Sequence, residues 1–422
     1  MEKLFPARAS LAQKISYYHI LLFLASLPFD RFYSHIILIS YTLHTLLNFK
    51  KGQQVKVSWW QFLMLTAVFV VTAVSTIYAV NSREAFNEWG KQITIVLFPV
   101  VFWLGGFNFA RYRNSLLLGF SLVCVATTLF LYANAFYIIH YFHMPLSGLF
   151  SQAFVNHNFS QPIDMHATFL SMQLTIALMY FFSEVIKERR MPLVLFYTAC
   201  ILVLFCGIVQ LSSKSVFFCL LVAINVLVPL YLLNGPKRKI FILIAWSVTL
   251  ICVCAFVKLS GFKQRYVNDL QADLTNTAKG GQSSESRLTR WAVVKDIITE
   301  APVIGHGAGS EVSLLHEAFW KKKYYNSFLY SLNSHNEYLS FLVKSGIVGL
   351  LVYLAVLALG FSTAIKRRDF FFLLFMLLIA VVSLSENILD VDKGIIFYAF
   401  FFSFFWFSIT PRAYSRQGAG VV

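Results

Sequence analysis

Residues 335–368 read HNEYLSFLVKSGIVGLLVYLAVLALGFSTAIKRR. From Phe341 to Ile365 the residues are overwhelmingly apolar, and Lys344 is the only charge among them. A spanning helix needs about 20 mostly apolar residues, so this stretch reads as a membrane crossing. It opens on polar His335, Asn336 and Glu337 and closes on Lys366, Arg367 and Arg368. Basic residues gather on the cytoplasmic side of membrane helices, so the His335 end faces away from the cytoplasm.

Working outward, the same pattern recurs along the chain. Twelve spans are expected: Ile15–Phe29, Phe32–Phe49, Trp59–Val80, Gln92–Phe107, Ser115–Ile139, His166–Phe182, Pro192–Leu211, Ser215–Leu233, Ile240–Leu259, His335–Ile365, Phe370–Leu384 and Gly394–Thr410. The tails and even-numbered connections hold Lys3, Arg8, Lys14, Lys50, Lys51, Lys56, Arg111, Arg113, Lys187, Arg189, Arg190, Lys237, Arg238, Lys239, Lys366, Arg367, Arg368, Arg412 and Arg416. The short connections opposite hold only Arg31, Arg83, Lys91, Lys214 and Lys393. That bias puts both termini in the cytoplasm. The expected organisation is an all-α polytopic membrane protein: spans 1–9 over residues 1–260, a loop over 261–334, and spans 10–12 with a cytoplasmic tail over 335–422.

The composition agrees. Apolar residues make up 58% of the 422 and charged residues 13%, too few to solvate a globular surface. The net charge of +16 reports orientation and contact with anionic lipid heads, and no nucleic-acid partner is expected. Residues 1–30 lack a signal-peptide cleavage pattern, since the apolar run leads straight into Pro28, Phe29 and Asp30. All six cysteines fall within expected spans and read as packing residues. Ion-coupled transporters need ionisable groups along the pathway. Here Lys258, Lys344 and Glu337 lie near span ends and none sits mid-membrane, which disfavours a transporter.

Polar residues concentrate outside the membrane, in His140–Met165 and above all in Gly261–Ser334, the connection between spans 9 and 10. Loops this long carry function or their own structure. After a turn-rich break at Asn276–Ser286, Arg287–Ala301 has a helical apolar stripe of Leu288, Trp291, Ala292, Val294, Ile297 and Ile298. Arg287 and Arg290 share a face beside Trp291. Pro302 ends that helix, and Gly305-His306-Gly307-Ala308-Gly309 leads into a further helical stretch, Glu311–Tyr325. The glycines form either a tight turn or a nest of amides for a phosphate. At the start of span 10, Ser334 and Glu337 have capping-box spacing, which leaves His335 in the first turn. Histidine is the side chain whose ordinary pKa allows proton exchange near neutrality, so His335 is the candidate base.

Together these residues resemble the O-antigen ligase and O-antigen polymerase superfamily. The resemblance rests on Arg287 and Trp291, on Pro302, Gly305, Gly307 and Gly309, and on His335-Asn336-Glu337-Tyr338-Leu339 followed by Gly346 and Gly349. His166-Ala167-Thr168-Phe169, Leu211-Ser212-Ser213-Lys214-Ser215, Glu386-Asn387-Ile388-Leu389 and Lys393-Gly394 add to it, over the last two-thirds of the chain. It implies a bacterial inner-membrane glycosyltransferase with a periplasmic active site. The implied reaction is an inverting, metal-independent transfer without cofactor. The donor is a glycan on undecaprenyl pyrophosphate. The acceptor is a lipid A–core sugar for a ligase, or a second lipid-linked repeat for a polymerase.

The residue chemistry suits that reaction. Arginine forks bind phosphate oxygens in pairs, so Arg287 and then Arg290 are the expected pyrophosphate contacts. Lys214 stands where many members have arginine; it keeps the charge and loses the fork. His335 is the expected general base, with Asn336, Glu337, His166 and Glu386 as secondary candidates. Phe169 replaces a tyrosine of the family pattern, so any role of that hydroxyl is absent. Asp390-Val391-Asp392 has the shape of a metal-binding pair but lies late, in a short loop, so no metal is expected. About 420 residues and one dominant outer loop favour the ligase. The stretch His140–Met165 keeps the polymerase open, and a polyisoprenoid-glycan flippase is the rival from another class.

Overall fold

In lipid a backbone must satisfy its own hydrogen bonds, and the apolar stretches do so as helices. The computed structural model describes residues 10–29, 31–51, 54–55, 57–258, 271 and 285–410, and no strand occurs among them. In chain order, α1 (Leu11–Ser26) and α2 (Arg31–Leu47) lead to α3 (Trp59–Thr76), α4 (Ser82–Gln92), α5 (Thr94–Leu104) and α6 (Phe109–Tyr141). Short turns over 146–163 precede α7 (Ala167–Lys187), α8 (Met191–Leu211), α9 (Lys214–Tyr231) and α10 (Gly235–Lys258). Then come α11 (Arg287–Glu300), α12 (Ser310–Lys321) and α13 (Tyr325–Leu329), followed by α14 (Glu337–Lys366), α15 (Phe370–Val382) and α16 (Asp392–Ile409).

A helix lies over each apolar stretch read from the sequence. Among the described residues, seven of them (α3, α6, α7, α8, α9, α14 and α16) are long and apolar enough to cross a membrane. The fourth stretch departs most from expectation. Its helix, α5, is only eleven residues long with Pro99 inside it, and a separate helix, α4, capped by Asn81 accepting from the Arg83 and Glu84 amides, precedes it. Exposed Arg83, Glu84 and Lys91 suit α4 to water rather than to hydrocarbon.

Two helices form the centre. In α7 and α16 most side chains are buried by protein rather than facing outward. The α16 sequence Phe397–Phe407 is almost all aromatic, and its rings lock onto neighbours: Phe400 lies 5.5 Å from Phe98, and Phe405 stacks 5.9 Å from Phe372. Such ring pairs add about 0.5–1.5 kcal/mol each beyond area burial. The rim helix α10 instead exposes Ile240, Leu243, Trp246 and Leu250, a surface suited to lipid.

Two groups of polar contacts stand out. At one end, Arg113 pairs with Asp369, and the Tyr180 hydroxyl donates to the Asn114 carbonyl. At the other, the 81–92, 144–166, 210–215, 285–345 and 383–393 segments bond to one another. Gln210 donates to the Leu149 and Phe154 carbonyls (2.7 and 2.6 Å), and Ser385 bonds Ser215 (2.9 Å).

α14 is broken at Gly346, whose φ of 60° and ψ of −161° interrupt the helical ladder. The loop after α11 repairs the break. His306 and Gly307 amides donate to the Val343 and Lys344 carbonyls (2.9 and 2.8 Å), and Ile347 and Val348 amides donate to Pro302 and Val303. A Cβ on Gly305 would lie 2.6 Å from the Gly346 amide nitrogen, so this close approach requires glycine. The glycine-rich run is therefore a turn that splices the loop into a broken helix. Its amides are spent on the Ala301 carbonyl (Gly305), on α14 (His306 and Gly307), on the Ser75 carbonyl (Ala308) and on Glu88 at 2.5 Å (Gly309), which overturns the phosphate-nest alternative.

Candidate active site

The loop between α10 and α14 builds its own small core. Val293, Val294 and Ile297 of α11 pack with Leu315 and Phe319 of α12 and with Val343 of α14. α11 starts where predicted, with Ser286 capping Thr289. Its buried face is rotated from the predicted stripe: Leu288 is exposed, while Arg290 is buried. Most of the turn-rich break at Asn276–Ser286 lies outside the described residues.

The docked α11 fixes the segment before α14. Trp291 Nε1 donates to the Ser334 carbonyl at 2.8 Å, and Arg290 Nη1 donates to the Asn333 carbonyl at 3.5 Å. From below, Glu311 Oε1 accepts the Ser334 amide (2.8 Å), and Asn387 Oδ1 accepts the Asn336 amide (2.7 Å). The His335 amide donates to Asn333 Oδ1 at 3.0 Å, and the residue is held at a left-handed φ of 47°. A non-glycine residue in that region persists only where its surroundings enforce it.

The expected capping box does not form. Asn336, not Ser334, caps α14, accepting from the Leu339 amide at 3.1 Å. Glu337 is the first helical residue and is fully buried, with Oε2 accepting the Leu389 amide at 2.8 Å. Ser334 and Asn336 both fit a cap locally. Tertiary partners decide, because Glu311 claims the Ser334 amide. His335 consequently sits just before the helix, not in its first turn.

This geometry aims the His335 ring at Glu386. Nδ1 lies 3.5 Å from Glu386 Oε2, and Thr168 Oγ1 donates to Oε1 at 3.3 Å. Burial pushes the Glu386 carboxyl up. The hydrogen bond from His335 and the fields of His166, His335 and Arg287 outweigh it and hold the group below the ordinary carboxylate range. Glu386 thus stays ionised where positive groups converge. His166, just before α7, packs 4.3 Å from the His157 ring and 4.8 Å from Phe169. Burial, helped by His157, His335 and Lys393 and opposed by Glu386, lowers its pKa to about 4. Lys214 opens α9, next to Ser215, whose hydroxyl bonds Ser385 beside Glu386.

His335, Glu386, His166 and Arg287 therefore share one cluster, with Lys214 at an adjoining helix start. Arg290 and Asn336 brace its backbone, and Glu337 points into the protein.

Lys344, read as lying near a span end, is buried in an ion cluster. Its Nζ donates to Glu88 Oε1 (2.7 Å) and Asp390 Oδ1 (2.6 Å), all three buried or nearly so. Asn387 joins this ion cluster to the His335 segment, donating to Asp390 (2.8 Å) and to Glu311 (3.1 and 3.2 Å). Burial raises the Asp390 pKa, but Lys344 and Asn387 hold it below the ordinary value. Burial beside Asp390 raises Glu311. Asp390 is thus committed to an ion pair, against the metal-pair shape of its sequence. Among the described residues no group of three or more His, Cys, Asp or Glu is placed to hold a metal. Sequence reading missed Glu88, Thr168, Glu311 and Asn387. Only Asn387 and Thr168, adjacent to singled-out residues, left a local signal.

No curated protein matches the chain. Residues 166–354, a little under half of the chain, match the family model described as O-antigen ligase. That stretch is similar to the O-antigen ligase family and contains His166, Lys214, Arg287, Arg290 and His335.

Proposed function

We propose that the protein is an O-antigen ligase of the bacterial inner membrane. It transfers a glycan from undecaprenyl pyrophosphate to a sugar hydroxyl of lipid A–core on the periplasmic side. The twelve-span reading, with both termini cytoplasmic and the long loop between spans 9 and 10 outside, puts the His335 cluster on that side. The gathering of the His335 network at the end of α14 opposite the Arg113–Asp369 pair supports it.

The observation that carries the reading is the His335–Glu386 pair, 3.5 Å apart and within the field of Arg287. A carboxylate on Nδ1 fixes the ring tautomer with a proton there and leaves Nε2 free to take one from an attacking hydroxyl. That proton transfer is worth about 10²–10⁴-fold. Pyrophosphate is a good leaving group and needs charge stabilisation more than an acid. Arg287, with Arg290 and Lys214, supplies it, each well-aimed cation contributing roughly 2.7–4 kcal/mol by analogy with single oxyanion donors. Direct attack on the anomeric carbon inverts it. Charge neutralisation by side chains makes the transfer metal-independent, and EDTA is expected to leave it unaffected.

One observation favours a second reading. The 146–163 stretch is folded, pinned by Gln210, and brings His157 against His166. A second structured outer segment suits a polymerase that seats two lipid-linked glycans. Gene deletion followed by lipopolysaccharide electrophoresis separates the readings. Ligase loss leaves bare core with long lipid-linked chains. Polymerase loss leaves core plus one repeat. A flippase would leave transfer by purified protein independent of His335.

A further inference from the structure

Beside the His335 cluster lies a second concavity of about 490 Å³, within the roughly 300–1,000 Å³ range of ligand pockets. It contains none of the residues assigned above to the reaction. One wall is a face of α4: Glu84, Asn87, Glu88 and Lys91 recur at helical spacing and all line it. The facing wall carries Glu311 and His316 of α12, and the floor is the Lys344–Asp390 ion pair. Asn333, whose side chain holds the His335 amide, lines it as well.

Its chemistry selects a ligand. Four carboxylates (Glu84, Glu88, Glu311, Asp390) face two ammonium groups (Lys91, Lys344), so a phosphate or pyrophosphate is repelled. The walls also carry apolar groups, Val312 and Val391 among them, against which the apolar face of a sugar ring packs. A polyhydroxy ligand fits: its hydroxyls donate to carboxylates and Asn oxygens and accept from Asn and Lys donors. Glu84 and Asn87 are exposed on the α4 face and within 3.5 Å of each other, a pair spaced for neighbouring hydroxyls.

We infer that this cavity is a saccharide subsite, which seats uncharged sugar units of a glycan one or more residues away from the unit reacting at His335. The inference rests on the proposed transferase reading for the identity of the glycan. It divides the substrate by charge: phosphate goes to the arginine side of the 333–336 segment, and neutral sugar to the carboxylate side. The shared chemistry is carried by acceptor core and donor repeat alike.

The test uses full-length protein in detergent carrying His335→Ala, so that no turnover occurs. Two lipid-free probes are compared by saturation-transfer difference NMR: core oligosaccharide released by mild acid, and repeat-unit oligosaccharide released from its polyprenyl carrier. One of them is expected to bind, and which one names the source. Adding Asn87→Ala or Glu84→Gln, both surface changes that leave packing intact, should weaken it about tenfold. In otherwise wild-type enzyme the same changes should raise KM for that substrate with a smaller change in kcat. Binding of neither probe, or binding insensitive to both substitutions, overturns the subsite. The binding arm needs no catalysis, so it reports even if His335 proves dispensable and the transferase reading fails.

Discussion

Replacing Lys344 by Met isolates the ion cluster beneath the candidate site. Lys344 is buried and bonds Glu88 at 2.7 Å and Asp390 at 2.6 Å. Methionine fills similar volume and removes the charge, leaving two carboxylates a few ångströms apart with no cation. Breaking a buried pair from one side costs about 3–5 kcal/mol. Part of that is relieved, because Gly309 still donates to Glu88, and Asn387 and Ser340 to Asp390. The rest is limited by protonation: neutralising a carboxylate of ordinary pKa near 4 at pH 7 costs about 4 kcal/mol, and at pH 5 only about 1.4 kcal/mol. At about 2 °C per kcal/mol for a large chain, the Lys344→Met protein should melt about 6–10 °C below wild type at pH 7. At pH 5 the deficit should shrink to about 3 °C. The wild-type contribution of Asp390, whose folded pKa is lowered, is complete at both pH values, so the change comes from the variant, whose unpaired buried carboxylates take up a proton more readily as pH falls. Adding Asp390→Asn should recover part of the loss at pH 7. Thermal unfolding of detergent-solubilised protein, followed by tryptophan fluorescence, is the assay. An unchanged melting temperature, or a deficit of equal size at both pH values, refutes the reasoning.

Other outcomes follow from the site. Glu386→Gln should cut transfer about 10–100-fold with little change in donor KM, and Glu386→Asp should restore part of it; transfer rates with purified donor decide. His166, with a folded pKa near 4 against an ordinary 6.5, favours its neutral form in the folded state. Its stabilising contribution is complete above pH 6.5 and falls by up to about 3 kcal/mol as pH drops through 4. His166→Gln should flatten the melting-temperature profile between pH 6.5 and 4. Arg287→Lys should retain part of the activity that Arg287→Ala loses, because charge survives without the paired fork, with the deficit in donor use measured by initial rates.

The helices were legible because lipid imposes a single local rule, long apolar runs closed by polar ends, and Ser58, Asn81 and Ser286 cap as their side chains dictate. His335, Arg287 and Glu386 were found by residue chemistry joined to family resemblance. The structure brings them together although 99 positions separate the first and last in the chain. What stayed hidden depends on long-range partners. Glu88 and Lys344 are 256 residues apart, and nothing near either one signals the pair. The cap at Asn336 went to Ser334 in the sequence reading because Glu311, which takes the Ser334 amide, lies 23 residues away. Gly346 stood in the motif, yet that it breaks α14 is visible only when the 302–307 turn fills the gap.

The central claim is that His335, held by Glu386, serves as the base for glycan transfer. Its most direct test is the initial rate of transfer from a polyprenyl-pyrophosphate-linked glycan to lipid A–core by purified wild-type and His335→Ala proteins of matched melting temperature. The account predicts a loss of about 10²–10⁴-fold with donor binding retained. A His335→Ala rate within a few-fold of wild type contradicts it.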